Sequence, residues 1–183
     1  MSRIPELRPD AMSAEQRAVM DEIVSGPHGR IVGPYPAWLQ SPELARRARG
    51  LSEFIRFRSS LPERLKELAI LIAGRHWKAE YEFYAHSRLA AKAGLEQSII
   101  DAVAARKRPS FPQAEDSIVY DLCTELFDTH RVSDSTHQRA VEAFGLARVV
   151  ELVSTIGYYS LVCLTLNAFE VPLPEGERSP FPD

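Results

Sequence analysis

Residues 61–95 read LPERLKELAILIAGRHWKAEYEFYAHSRLAAKAGL, and the fold class turns on them. Ser60, Leu61, Pro62 and Glu63 form the pattern of a capping box, which predicts a helix start. Leu65, Leu68, Ala69 and Ile72 then recur at helical spacing along one stripe, and Gly74 loosens the end of that helix. A second helix is expected over about 79–93, stopping at Gly94, a residue suited to the left-handed conformation that ends helices. Polar groups interrupt this apolar pair. Glu82 and His86 are four residues apart and so share one helical face, with Glu80, Tyr81 and Tyr84 nearby. Glu67 lies among Leu65, Leu68, Ile70 and Leu71, where a carboxylate is costly unless it is paired. If the two helices pack antiparallel, Glu67 meets His86 between them.

Outward from this pair the chain reads as helix after helix. Ser13 and Gln16 form a capping box for a run that ends at Gly26. GPHGRIVGPYPAWLQ (26–40) reads as a loop, long enough to cover something. Ser41 and Pro42 start a helix expected to reach about Phe57. A short helix near 96–106 and the proline-bounded RPSFP follow. Ile118, Leu122 and Leu126 mark a helix over about 114–130. Ser133 or Asp134 caps a helix that closes at Gly145, and a long apolar helix spans about 147–169. The tail VPLPEGERSPFPD is proline-rich and is expected to wrap a surface or a neighbour. No strand alternation and no hairpin turn occurs, so the expected fold is all-α, one domain over 1–183.

Composition narrows the function classes. A chain of 183 residues with 45% hydrophobic and 26% charged residues suits one soluble globular domain. A net charge of −3 supplies no basic field for nucleic acid or for an anionic membrane. The stretch 152–169 is long and apolar, but Ser154, Thr155, Ser160, Thr165 and Asn167 interrupt it. A buried core or interface helix is expected there, and no membrane span. MSRIPELRPD lacks the apolar core of a secretory signal, so a cytoplasmic location is expected. Cys123 and Cys163 stand forty residues apart in apolar surroundings, outside any Cys-x-x-Cys pattern.

Three chemistries compete for Glu67, Glu82 and His86. A buried, satisfied ion pair is the plainest. Metal binding ranks low, because no second Glu-x-x-His pair accompanies them. Metal-free acid/base chemistry is favoured over it. Cysteine nucleophiles lack an adjacent basic group, and Gly26, Gly29 and Gly33 form no phosphate loop.

The 61–95 block resembles the carboxymuconolactone decarboxylase and AhpD-like family, as do SPELARRARGLSEFIRF (41–57) and GYYSLVCLTLNAFEVPLPEG (157–176). The resemblance spans about 30–175 and implies an AhpD-like multi-helix bundle. The family's redox branch carries a Cys-x-x-Cys, a histidine four residues after its second cysteine, and a glutamate on the preceding helix. By position these fall on Ala79, Glu82, His86 and Glu67, so both thiols are absent. The chain therefore looks like the cysteine-less, decarboxylase-type branch. That implies loss of CO2 from a small carboxylated lactone without a cofactor, in aromatic catabolism. His86 would transfer the proton, Glu67 would orient it, and Glu82 would shape the pocket. Arg56, Arg75, His76 and Tyr81 are the expected substrate-binding residues. The expected partners are a small carboxylate and further copies of the chain, as a homotrimer or hexamer. An AhpD-like peroxidase, disfavoured without the thiols, and a non-catalytic oligomeric scaffold are the alternatives.

Overall fold

The computed structural model describes residues 2–5, 7–8 and 10–182, which carry nine α-helices, one π-helical turn and no strand. The first helix, α1, spans Ala14–Ser25 and starts at the expected capping box. The Ser13 amide donates to Gln16 Oε1 and the Gln16 amide to Ser13 Oγ. The 26–40 segment is not loop throughout: Tyr35–Trp38 form a short helix, α2, entered through Pro34. It buries Tyr35 and Trp38, and burying those rings overrides the turn signal of the two prolines. Helix α3 spans Pro42–Glu53 and runs into the π-helical turn, Phe54–Arg58. There the Ser59 amide donates to the carbonyl of Phe54, five residues back.

Helix α4 spans Glu63–His76 and is the centre of the molecule. It is buried all round from Leu65 to Gly74, so the expected single stripe understates it. It packs against the helices Glu80–Lys92 (α5), Gln97–Ala104 (α6), Ala114–Thr129 (α7) and Leu146–Ala168 (α9). Between α7 and α9 lies α8, Asp134–Phe144, capped by Ser133. The capping box expected at Ser60 does not form. Pro62 precedes α4 with no side-chain cap, and the Ser60 amide and hydroxyl both donate to Glu151 Oε2 on α9. A carboxylate accepts more strongly than a neutral partner, and α9 brings one within reach.

Helices α4 and α5 run antiparallel. Their turn passes through Lys78, which holds a left-handed φ of 52°. Gly74 does not end α4, which continues to His76. A Cβ on Gly74 would stand 3.4 Å from the Phe83 amide nitrogen, so the glycine lets α5 approach closely.

Two apolar clusters flank α4. One joins Leu65, Leu68 and Leu71 to α6, α7, α8 and the first half of α9. The other joins Ile70 and Ala73 to α1, α2, α3 and the second half of α9, and it is rich in aromatic rings, among them Trp38, Tyr158 and Tyr159. Helix α9 is long and apolar enough to cross a membrane by length and composition. Its inner face, from Val149 to Leu166, is spent on these two clusters. The tail wraps its own chain. Glu177 accepts from Tyr84 Oη at 2.7 Å and Arg88 Nη2 at 2.9 Å, and Phe181 packs edge-on against Phe83.

Candidate functional site

The antiparallel pair delivers what the spacing of its polar residues predicts. Glu67, Glu82 and His86 are each at most 5% exposed. His86 Nδ1 lies 2.6 Å from Glu67 Oε2, and Nε2 lies 3.0 Å from Glu82 Oε1. An imidazolium donates through both ring nitrogens, and each nitrogen here faces a carboxylate. Burial alone would push the pKa of His86 down. The charges of Glu67 and Glu82 override this and raise it to about 9. His86 is therefore cationic at neutral pH.

The π-helical turn adds a second cation. Arg56 Nη1 lies 3.4 Å from His86 Nε2 and donates to Tyr159 Oη at 3.3 Å. Two carboxylates, one imidazolium and one guanidinium balance to zero net charge. That balance is what a poorly hydrated cluster requires. Behind the turn, the buried ammonium of Lys66 donates to the Arg56 carbonyl at 3.0 Å and pairs with Glu63 at 2.6 Å. The Tyr159 ring stands edge-on to His86, with ring centroids 5.1 Å apart.

His86, Glu82, Arg56 and Tyr81 line a cavity of about 590 Å³, with Tyr159 on its wall. Glu67 lies behind His86. The glycine- and proline-rich segment 27–34 forms one rim, and Pro174 of the tail forms another. Gly33 holds a φ of 62°, with Tyr81 3.6 Å from where a Cβ would be, so glycine fits the rim where other residues would strain. The loop does cover something, as its length suggested.

Arg75 and His76 are not part of this site. They lie eight and nine residues beyond Glu67 on α4, about 12–14 Å along the helix, and they line a different concavity of about 370 Å³. Arg75 Nε donates to the Ala104 carbonyl and its guanidinium packs over Phe181, while His76 stacks on Phe127. The expectation that they bind substrate carboxylates beside Arg56 does not hold for this cavity. His28, Tyr35 and Tyr159 are absent from the expected site residues and reach the cavity from distant elements. For Tyr159 the GYYS at 157–160, two phenols in an aliphatic helix, was the available signal.

His86 engages one oxygen each of Glu67 and Glu82 through its two ring nitrogens. Among the described residues no group of three or more His, Cys, Asp and Glu is placed to hold a metal ion. Cys123 and Cys163 are fully buried, and burial pushes both thiols well above the ordinary range. Neither is suited to supply a reactive thiolate.

The chain is thus an all-α bundle with a buried histidine clamped between carboxylates from two neighbouring helices. No protein-family model and no curated protein matches the chain. Solved structures do. An uncharacterized peroxidase-related protein from Ralstonia eutropha, with an alkylhydroperoxidase AhpD core, aligns at a TM-score of 0.76 and 13% identity, covering 95% of this chain and 93% of its own. A protein of unknown function from Agrobacterium tumefaciens, given an AhpD antioxidant-defence name, aligns at 0.66 and 16%, covering 75% of this chain and 95% of its own. The fold is AhpD-like. At these identities the likeness establishes the fold and leaves the chemistry to the site.

Proposed function

We propose that the protein is a cofactor-free enzyme that delivers a proton to a small carboxylated substrate, in the manner of a carboxymuconolactone decarboxylase. The observation that carries this reading is His86, an imidazolium held between Glu67 and Glu82 at the wall of a cavity that also receives Arg56. A histidine with a pKa of about 9 begins the cycle protonated and acts first as an acid.

The chemistry follows from that starting state. The bond between the substrate carboxylate and its carbon breaks, CO2 leaves, and the electron pair delocalises into the conjugated lactone carbonyl. The Arg56 guanidinium stabilises the resulting enolate. Aimed there, it lowers the barrier, whereas pairing with the departing carboxylate would only hold the ground state. The proton of His86 Nε2 passes to the carbanionic carbon, directly or through Glu82, which accepts it at rest. Glu67 keeps the ring oriented and its cationic form stable, and solvent returns the proton. Dithiol peroxide chemistry, which the names of the structural neighbours bring to mind, needs two thiols. Ala79 and Glu82 occupy the positions where the resemblance would put them.

A homotrimer or homohexamer in the cytoplasm belongs to the same reading. Leu146, Val150, Val153, Leu161 and Leu164 leave an exposed apolar stripe along the outside of α9, which a second copy would cover. Sedimentation at micromolar concentration checks this, and a compact monomer contradicts it.

The catalytic reading is tested with lactone carboxylates and the His86→Gln variant. Turnover is expected to fall by about 10²–10⁴-fold while the melting temperature shows a folded protein. Undiminished turnover in folded His86→Gln ends the proposal.

A further inference from the structure

Buried polar atoms are nearly always hydrogen-bonded, and each exception calls for an explanation. Four side-chain atoms are buried without a partner among the described residues: His28 Nε2, Tyr35 Oη, Arg49 Nε and Trp77 Nε1. Two of the four, His28 Nε2 and Tyr35 Oη, belong to residues that line the same cavity as His86. Their rings meet edge-on with centroids 5.5 Å apart, and His28 also meets Phe57 at 5.5 Å. Tyr35 is only 5% exposed. Ser52 lies near the hydroxyls of both Tyr35 and Tyr158, but it does not close a hydrogen bond of good geometry to Tyr35. An arc of edge-on rings leads from Tyr35 through Trp38, Tyr158 and Tyr159 to His86, each pair 5.1–6.2 Å apart. The residues that carry the unpaired atoms, His28 and Tyr35, therefore line the same cavity as the imidazolium, with those atoms held within its wall.

We propose that His28 and Tyr35 form a second subsite that binds an uncharged hydroxyl of the ligand, so that the cavity takes unsaturated or aromatic hydroxy acids. This rests on the reading above that the cavity takes a small carboxylate, whose anionic end has Arg30, Arg56 and Arg88 available in the same lining.

The character of the pair selects the group. Burial, helped by the charge of Arg56, pushes the pKa of His28 down, and burial pushes that of Tyr35 up, so both are neutral near pH 7. A neutral imidazole and a phenol offer no charge to a carboxylate. A ligand hydroxyl can donate to one and accept from the other with either tautomer of His28, whereas a carbonyl oxygen only accepts and suits one tautomer. The cations of the cavity lining are Arg30, Arg56 and Arg88, and Arg56 is near enough for its charge to help keep His28 neutral.

Benzoate and 4-hydroxybenzoate are the probes, titrated calorimetrically into the full-length protein, Tyr35→Phe, His28→Phe and the double variant. The hydroxy acid is expected to bind about tenfold tighter than benzoate, the worth of one good neutral hydrogen bond. In the double variant the two acids should bind within twofold of each other, with benzoate affinity unchanged. Without ligand, Tyr35→Phe should melt at or above the parent temperature, because it removes a hydroxyl that has no partner. Equal affinities in the parent, no binding of either acid, or a preference that survives in the double variant overturns the subsite. So does a clear drop in the melting temperature of Tyr35→Phe, which would reveal a protein partner for the hydroxyl. The outcome is separable from the acid role of His86. That role fails if folded His86→Gln keeps its turnover, whatever the hydroxyl preference.

Discussion

Two concavities each bring histidine, arginine and carboxylate side chains together. At one, His86 is buried, bonded to Glu67 and Glu82, and raised to a pKa of about 9. At the other, His76 is partly open and stacked face to face on Phe127 with ring centroids 4.2 Å apart. Burial pushes its pKa down, the charges of Arg106 and His130 push the same way, and Asp128 opposes this only through space. The same residue types therefore have opposite acid/base character. The difference is direct contact: a carboxylate bonded to a dry ring outweighs desolvation, and one held at a distance in solvent does not.

The largest expected contrast is in activity. His86→Gln should lose the full range expected of a general acid, about 10²–10⁴-fold. His76→Gln should stay near the parent rate, and an equal loss in both would erase the distinction between the two concavities.

Stability gives the next contrast. Glu67→Ala leaves a buried cation with half its compensation and is expected to cost about 3–5 kcal/mol. Asp128→Ala removes a group that makes no such bond and should change stability by less than about 0.5 kcal/mol. Urea unfolding of the two variants measures both.

The pH dependence should differ in sign. The folded pKa of His86 lies above its unfolded value of 6.5. Its stabilisation is thus complete below pH 6.5 and is lost as pH rises through about 9. For His76 the folded pKa is lowered. Its contribution is present above pH 6.5 and is lost as pH falls through the folded value. Melting temperatures from pH 5 to 10 should show the alkaline loss vanish in His86→Gln and the acid-side loss shrink in His76→Gln. An alkaline limb that survives in His86→Gln would assign it elsewhere.

The smallest effect concerns a carboxylate bonded at the surface. Burial raises the pKa of Glu151, but hydrogen bonds from Ser59 and Ser60 more than offset this and leave it lowered. Glu151→Gln should cost about 0.5–2 kcal/mol, the range of a lost helix cap. The loss should fade as pH falls through the lowered pKa, where the parent's carboxylate also becomes protonated. Calorimetry at pH 7 and at pH 3 checks it.

What the sequence made legible was mostly local. The capping box at Ser13, the cap at Ser133 and the stop at Gly94 depend on residues a few positions apart, and all three form. The pairing of Glu67 with His86 was also readable, because a carboxylate amid leucines needs a partner and the next helix offered an imidazole. The Ser60 capping box failed through Glu151, ninety-one residues away in the chain. His28, Tyr35 and Tyr159 stayed invisible as site residues for the same reason: each reaches the cavity from an element whose placement only packing decides. Arg75 and His76 failed in the other direction. They share α4 with Glu67, but a helix advances about 1.5 Å per residue, which carries them to a different concavity.

The π-helical turn at Phe54–Arg58 has a consequence for how the chain can vary. Such a turn amounts to one residue more than an α-helix would use for the same span. Removing Phe54 or Ile55 would let α3 continue in regular register into Arg56. Each residue of register turns a side chain by about 100° around the axis, which would swing the guanidinium of Arg56 away from His86 and Tyr159. The site's second cation is thus encoded by a length as much as by an identity. A relative with arginine at the aligned position but one residue fewer before it would keep the letter and lose the contact.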